Sequence, residues 1–200
     1  RYSRRMNLPK TSMKTKVQIS VPFLCGLILF LLFDRTGLGG QMVLAALSHE
    51  IGHLLVMAFL GGYPQKIVFG GMGIRIEKRP DARLSYGREI CIYAAGPAVN
   101  LLVAALFFPY PAIRRVHLLL GIFNLLPIGA LDGGQILRCF LQNKIEISRA
   151  DRFQRLVSFF CAAGLVVLAA AVFWKSGYNA SLLVTTGYLL WLLFVGNSEI

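Results

Sequence analysis

An apolar run from Met42 to Leu60 contains Ser48-His49-Glu50-Ile51-Gly52-His53 and carries no other charge. A run of this length reads as a helix able to cross a bilayer, and residues four apart share one face of a helix. His49 and His53 can therefore present two imidazoles to one metal ion. Glu50 stands next to them, where it can take a proton from water. An ionised Glu at membrane depth costs at least about 2–3 kcal/mol to insert, so such a group reads as a functional site before anything else. The plainer alternative is a hydrogen-bonded polar cluster that holds helices together.

The rest of the chain suits a membrane. Of its 200 residues, 56% are hydrophobic and 15% charged, with a mean hydropathy of +0.63 and several apolar runs near membrane length. This predicts an all-α polytopic membrane protein of about six transmembrane helices, with no room for a separate soluble domain. The net charge of +12 comes from basic residues in short loops between apolar runs. It reads as a topology signal and an attraction to anionic lipids, not as nucleic-acid binding. Cys25, Cys91, Cys139 and Cys161 form no C-x-x-C pair and read as small buried hydrophobes.

Taken in order, residues 1–16 form a basic N-terminal arm, and 17–200 form one transmembrane domain with a core at about 41–138. The expected spans are roughly 17–33, 40–60, 86–108, 113–126, 153–174 and 180–196. No small-residue cleavage site follows the first apolar run, so it is expected to remain as a helix. Between the second and third spans, Lys66-Ile67-Val68-Phe69 and Ile74-Arg75-Ile76 flank a glycine-rich centre, which predicts a small membrane-associated β-hairpin. Six Lys and Arg lie in 1–16, six in 61–88 and five in 138–155, against Arg35, Arg114, Arg115 and Lys175 on the other side. Seventeen against four places both termini and the hairpin in the cytoplasm of a multi-pass cell-membrane protein.

A catalytic zinc usually takes three protein ligands and leaves one position open. Most acids outside the motif lie near span ends or in loops. Asp132 alone sits in a broken apolar segment, Asn124-Leu125-Leu126-Pro127-Ile128-Gly129-Ala130-Leu131-Asp132-Gly133-Gly134, and it is also placed to cap the helix that resumes near Gly133. Asp132 is therefore the expected third ligand to one Zn2+. His117 reads as a hydrogen-bonded interfacial histidine. In Ala95-Gly96-Pro97-Ala98-Val99-Asn100, Gly96 and Pro97 read as sites of close helix packing.

H-E-I-G-H in one span, G-P-A-V-N in the next and N-L-L-P-I-G-A-L-D-G-G later together resemble the site-2 protease family of intramembrane zinc metalloproteases. The likeness runs from about Gln41 to Arg138, in the family's order. The compact six-span layout is most similar to the bacterial sporulation branch, which processes a pro-sigma factor. One departure is Gly129-Ala130, where relatives often carry a bulkier aromatic or Pro. No PDZ-like insert or nucleotide-sensing pair is expected within these residues. The resemblance implies that His49, His53 and Asp132 hold zinc and that Glu50 is the general base, then the acid for the leaving amine. It implies a membrane-protein substrate and regulated intramembrane proteolysis. Asn124 could donate an amide hydrogen bond to substrate or oxyanion. The hairpin centre, Phe69, Gly70 and Gly71, could pair with an extended substrate, or it could serve only as a lid. A zinc-binding transporter would need intramembrane acids and histidines spread along a path, and here they converge. An inactive helix-binding scaffold would not need Glu50. A regulator and a homo-oligomer are left open as partners.

Overall fold

The computed structural model describes residues 16–34, 37–61, 64–70, 73–78, 84–176, 186, 187 and 190. In chain order these form β1 (Lys16–Ile19), α1 (Val21–Phe33), α2 (Gly39–Phe59), β2 (Pro64–Gly70), β3 (Gly73–Lys78), α3 (Tyr86–Leu106), α4 (Pro111–Asn124), α5 (Asp132–Gln142) and α6 (Ile147–Ser176).

Local chemistry sets the ends of the motif helix α2. The Asp34 carboxylate accepts a hydrogen bond from Gly39 N at 2.6 Å, satisfying a donor that the first helical turn leaves unpaired. At the other end Gly61, at φ +77°, takes the left-handed conformation that closes a helix without a Cβ penalty. α3 carries Pro97 in its interior. It packs against α2, α4 and α5 and so forms the centre of the helical assembly. Small residues let these helices approach closely, as packing in lipid requires. A Cβ at Gly52 of α2 would lie 2.9 Å from the Ala95 carbonyl oxygen of α3.

Among the described residues three helices, α2, α3 and α6, are long and apolar enough to cross a membrane. This differs from the six-span expectation. α1 has 13 residues and α4 has 14, so they run about 20 Å, short of a hydrocarbon core of about 30 Å. Apolar composition extends past the helix in both cases. The first expected span splits into β1 and α1, and the fourth stops at Asn124, before the turns at 125–131. The sixth expected span lies outside the described residues except at 186, 187 and 190.

β2 and β3 pair antiparallel, with Phe69 opposite Ile74 and Gly70 opposite Gly73. β1 adds to the other side of β2 in parallel, Gln18 opposite Val68 and Ile19 opposite Phe69. The sheet order β1-β2-β3 makes β2 the middle strand. The backbone of Phe69 is therefore flanked by strands on both sides, while Gly70 pairs with Gly73 of β3, and a further strand alongside Phe69 would have to join at the outer edge of β1 or β3. Gly71 lies outside the described residues.

The segment between α4 and α5 is a chain of tight turns, with Ile128 N donating to Leu126 O at 2.8 Å and Leu131 N to Ile128 O at 2.8 Å. Gly133 and Gly134 lie so close to the Leu125, Leu126 and Ile128 backbone that a Cβ on either would collide with it. α6 holds this segment from outside. Ile128 and Ala162 form a buried pair, with Phe123, Leu126, Leu131 and Leu165 packed around them. Ser158 Oγ accepts Gly129 N at 3.0 Å and Gln154 Nε2 at 2.9 Å, and donates to Gln154 O at 2.8 Å. Further along, Arg138 Nε donates to Asp151 Oδ1 at 2.9 Å and ties α5 to α6.

Candidate metal centre

His49 and His53 lie on one face of α2, 5% and 7% exposed. Their side chains meet Asp132, the first residue of α5. His49 Nε2 is 2.9 Å from Asp132 Oδ2, His53 Nε2 is 3.3 Å from the same oxygen, and the two Nε2 atoms are 3.1 Å apart. Two imidazole nitrogens and a carboxylate oxygen thus converge from two helices, with His49 and Asp132 83 positions apart in the chain. The carboxylate also sits at the N-terminus of α5, where the helix dipole favours negative charge. Asp132 does not cap α5. The N-cap is Leu131, without a side-chain cap bond, and the Asp132 carboxylate is turned to the imidazoles instead.

The residues fit a zinc ion. Two His and one Asp form a donor set known for catalytic zinc, with one coordination position left for water or substrate. The ligand atoms lie within 4.8 Å of one another. The space between them is kept by Gly96: a Cβ there would meet His53 Nε2 and lie 2.7 Å from His49 Nε2. A side chain at 96 would fill the space between the three side chains, where an ion could be held. The ligands are oriented from behind. His53 Nδ1 donates to the Ile92 carbonyl at 2.7 Å, which leaves the Nε2 lone pair facing the site. His49 Nδ1 lies 3.1 Å from Asn100 Nδ2. Asn100, fully buried, also reaches His117 Nδ1 at 3.2 Å and Ser48 Oγ at 3.4 Å through Oδ1.

Glu50 is half-buried in the turn between the two histidines. Asn124 closes α4 and donates its amide to Leu120 O at 3.0 Å. The sheet residues Phe69 and Gly70 sit on β2. Two parts of the site were hidden in the sequence. Gly96 reads from the sequence as a packing residue, and in the structure it lies against the Nε2 atoms of His49 and His53. Asn100, buried behind His49, was assigned no role. Their signal was the four-residue spacing, which puts both on one face of α3.

The fold is that of a site-2 protease. Comparison with the solved site-2 protease from Methanocaldococcus jannaschii gives a TM-score of 0.66 over 90% of this chain and 89% of that one, at 18% identity. The model of peptidase family M50 matches residues 109–168, a stretch that includes Asp132. The chain is similar to Rip3 of Mycobacterium tuberculosis, named as a zinc metalloprotease, at 30% identity over an aligned 190 residues, 80% of this chain and 44% of Rip3. It is also similar to the zinc metalloprotease MJ0392 of Methanocaldococcus jannaschii, at 30% identity over 116 residues, 52% of this chain and 34% of that protein. The chain thus spans less than half the length of these curated relatives. These are likenesses in fold to a site-2 protease, in residues 109–168 to peptidase family M50, and in sequence to proteins named as zinc metalloproteases.

Proposed function

We infer that the chain is an intramembrane zinc metallopeptidase that hydrolyses a peptide bond of a membrane-protein substrate, within or near its transmembrane segment, as a step of regulated intramembrane proteolysis. The observation that carries this is the convergence of His49, His53 and Asp132 around a space that Gly96 leaves open, with Glu50 in the turn between the two histidines. His49, His53 and Asp132 hold the metal. Bound zinc supplies a Lewis acid that lowers the pKa of water to about 7 and stabilises charge on the scissile carbonyl. Glu50 takes a proton from the attacking water and delivers it to the leaving amine nitrogen as the C–N bond breaks. Asn124 can serve substrate only by turning its amide from the Leu120 carbonyl, to which it now donates.

A transmembrane helix shields its backbone with internal hydrogen bonds, so a substrate has to be unwound locally before cleavage. Strand pairing offers the exposed backbone new partners. Because β2 lies between two strands as far as Phe69, β3 is the better seat for such a segment than Phe69. The bias of Lys and Arg supports cytoplasmic termini and contacts of the basic loops with anionic lipids. Assignment to the sporulation branch rests on the compact layout of the sequence.

The test is co-expression with tagged candidate membrane substrates, comparing wild type with Glu50→Gln. Loss of the base should lower turnover by at least about 10²-fold and leave zinc bound. Full cleavage by Glu50→Gln would sink the mechanism.

A further inference from the structure

We propose that Asn100 is a positioning residue for the zinc ligand His49, and that His117 and Ser48 set the direction in which its amide points. In the zinc-loaded protein Asn100 Oδ1 accepts from His49 Nδ1–H, while Asn100 Nδ2 donates to His117 Nδ1 and Ser48 Oγ. This rests on the metal site proposed above and adds residues of α3 and α4 to it.

The requirement starts at His49. Its Nε2 faces the metal site, 2.9 Å from Asp132 Oδ2. A neutral imidazole that gives the Nε2 lone pair to a metal carries its proton on Nδ1. That N–H is buried and needs an acceptor. At His53 the matching proton meets a backbone carbonyl, Ile92 O, which can only accept, so the His53 tautomer is set by the main chain. At His49 the partner is the side-chain amide of Asn100, which can present either an acceptor or a donor.

Two neighbours decide which. Ser48 Oγ has one proton and donates it to Ala45 O at 2.9 Å. Its 3.4 Å contact with Asn100 is then satisfied only by a donor on Asn100. His117 Nδ1, 3.2 Å from Asn100, accepts when the imidazole is neutral with its proton on Nε2. The NH2 group has two protons, one for each neighbour. A half-turn of the Asn100 amide exchanges its oxygen and nitrogen without moving other atoms. With nitrogen toward Ser48 and His117 and oxygen toward His49, each group meets its complement. The opposite direction, the one seen in the structure with Nδ2 3.1 Å from His49 Nδ1, aims an N–H at His49 Nδ1, forces the lone pair there and puts the His49 proton on Nε2, the atom needed by the metal, so zinc loading requires the half-turn. Asn100 is 0% and His117 6% exposed, so solvent is not at hand to replace either partner.

The test measures zinc affinity by chelator competition on the full chain in detergent, with the visible spectrum of the cobalt-substituted protein as a report on site geometry. Asn100→Leu should bind zinc about 10- to 100-fold more weakly, the usual effect of removing a partner behind a metal-bound histidine, and should alter the cobalt bands. Asn100→Asp keeps an acceptor for His49 Nδ1–H and should recover most of the affinity. His117→Leu should weaken binding, and His117→Gln, whose amide oxygen can accept from Asn100, should restore it. Wild-type zinc affinity in folded Asn100→Leu would overturn the proposal, as would Asn100→Asp binding no better than Asn100→Leu. If Asn100→Leu does not fold, the His117 pair decides, and equal affinities of its Leu and Gln variants overturn the proposal. If the wild-type chain binds no zinc through His49, His53 and Asp132, the functional reading fails first. If it binds and these variants bind equally, only the role of Asn100 fails.

Discussion

Gly96→Ala adds one methyl group at the point where α3 passes the two imidazoles. The new Cβ would meet His53 Nε2 and lie 2.7 Å from both His49 Nε2 and His53 Cε1. Contacts under 3 Å on rigid rings have to be relieved by moving the rings or the helix. In a helix interior Ala is favoured over Gly by roughly 0.5–1 kcal/mol, while overpacking costs about 1–3 kcal/mol. The net change in fold stability is therefore between near zero and about 2.5 kcal/mol, small against the 5–15 kcal/mol of a typical domain. Zinc binding has no such compensation, because the methyl takes the space between the ligating atoms. Removing a partner behind a ligand already costs 10- to 100-fold in affinity, so intrusion among the ligands should cost at least about 100-fold. The assay is zinc per chain by elemental mass spectrometry on purified protein, with the thermal midpoint as the control for folding. Gly164→Ala in α6, where a Cβ would have nothing within 4 Å, is the matched substitution and should keep its zinc. One zinc per chain at wild-type affinity in Gly96→Ala would refute the placement of the ion between His49, His53 and Asp132.

Three further outcomes follow from other parts of the molecule. Ser158→Ala removes the acceptor for Gly129 N and Gln154 Nε2. It should cost about 1–3 kcal/mol for the buried donors left unpaired and speed zinc release by loosening the turns before Asp132. An unchanged thermal midpoint and zinc off-rate would show that α6 does not clamp the segment. Alternate residues of a strand send their backbone N–H to opposite edges, so proline at Arg75 and at Ile76 should differ. One removes a bond to β2, and the other removes a donor only from the outer edge of β3. The outer-edge variant should lose substrate crosslinking while keeping zinc, and wild-type crosslinking by both variants would leave the sheet as a lid. Single cysteines at Ser3 and Ser198 should resist impermeant reagents added outside intact cells, and labelling of either would overturn the cytoplasmic assignment of that terminus.

Local periodicity made much of the centre legible. The four-residue spacing of His49 and His53 needs only a helix to put both on one face, and an uncharged apolar run supplies the helix. Asp132 stood out because it was the one acid in a broken apolar segment, and the two β-branched pieces around glycine marked β2 and β3. What the sequence left undecided depends on contacts between distant parts of the chain. Lys16-Val17-Gln18-Ile19 alternates as a strand does, but it joins an apolar run, and only pairing with Lys66-Ile67-Val68-Phe69 distinguishes it from the start of a helix. The first expected span runs past α1 for the same reason, and the fourth is set two residues late against α4, since hydropathy reports burial in lipid or protein without reporting where the helical hydrogen bonds stop. Asp132 reads as a helix cap from its position. Its carboxylate turns to the histidines because the 125–131 turns, held by Ile128 and Ser158 against α6, aim the start of α5 at α2. Gly96 and Asn100 carry no mark of a metal site in themselves. They acquire it because α3 crosses α2 at Gly52, which brings one face of α3 against both imidazoles, and that crossing exists only in the packed tertiary structure.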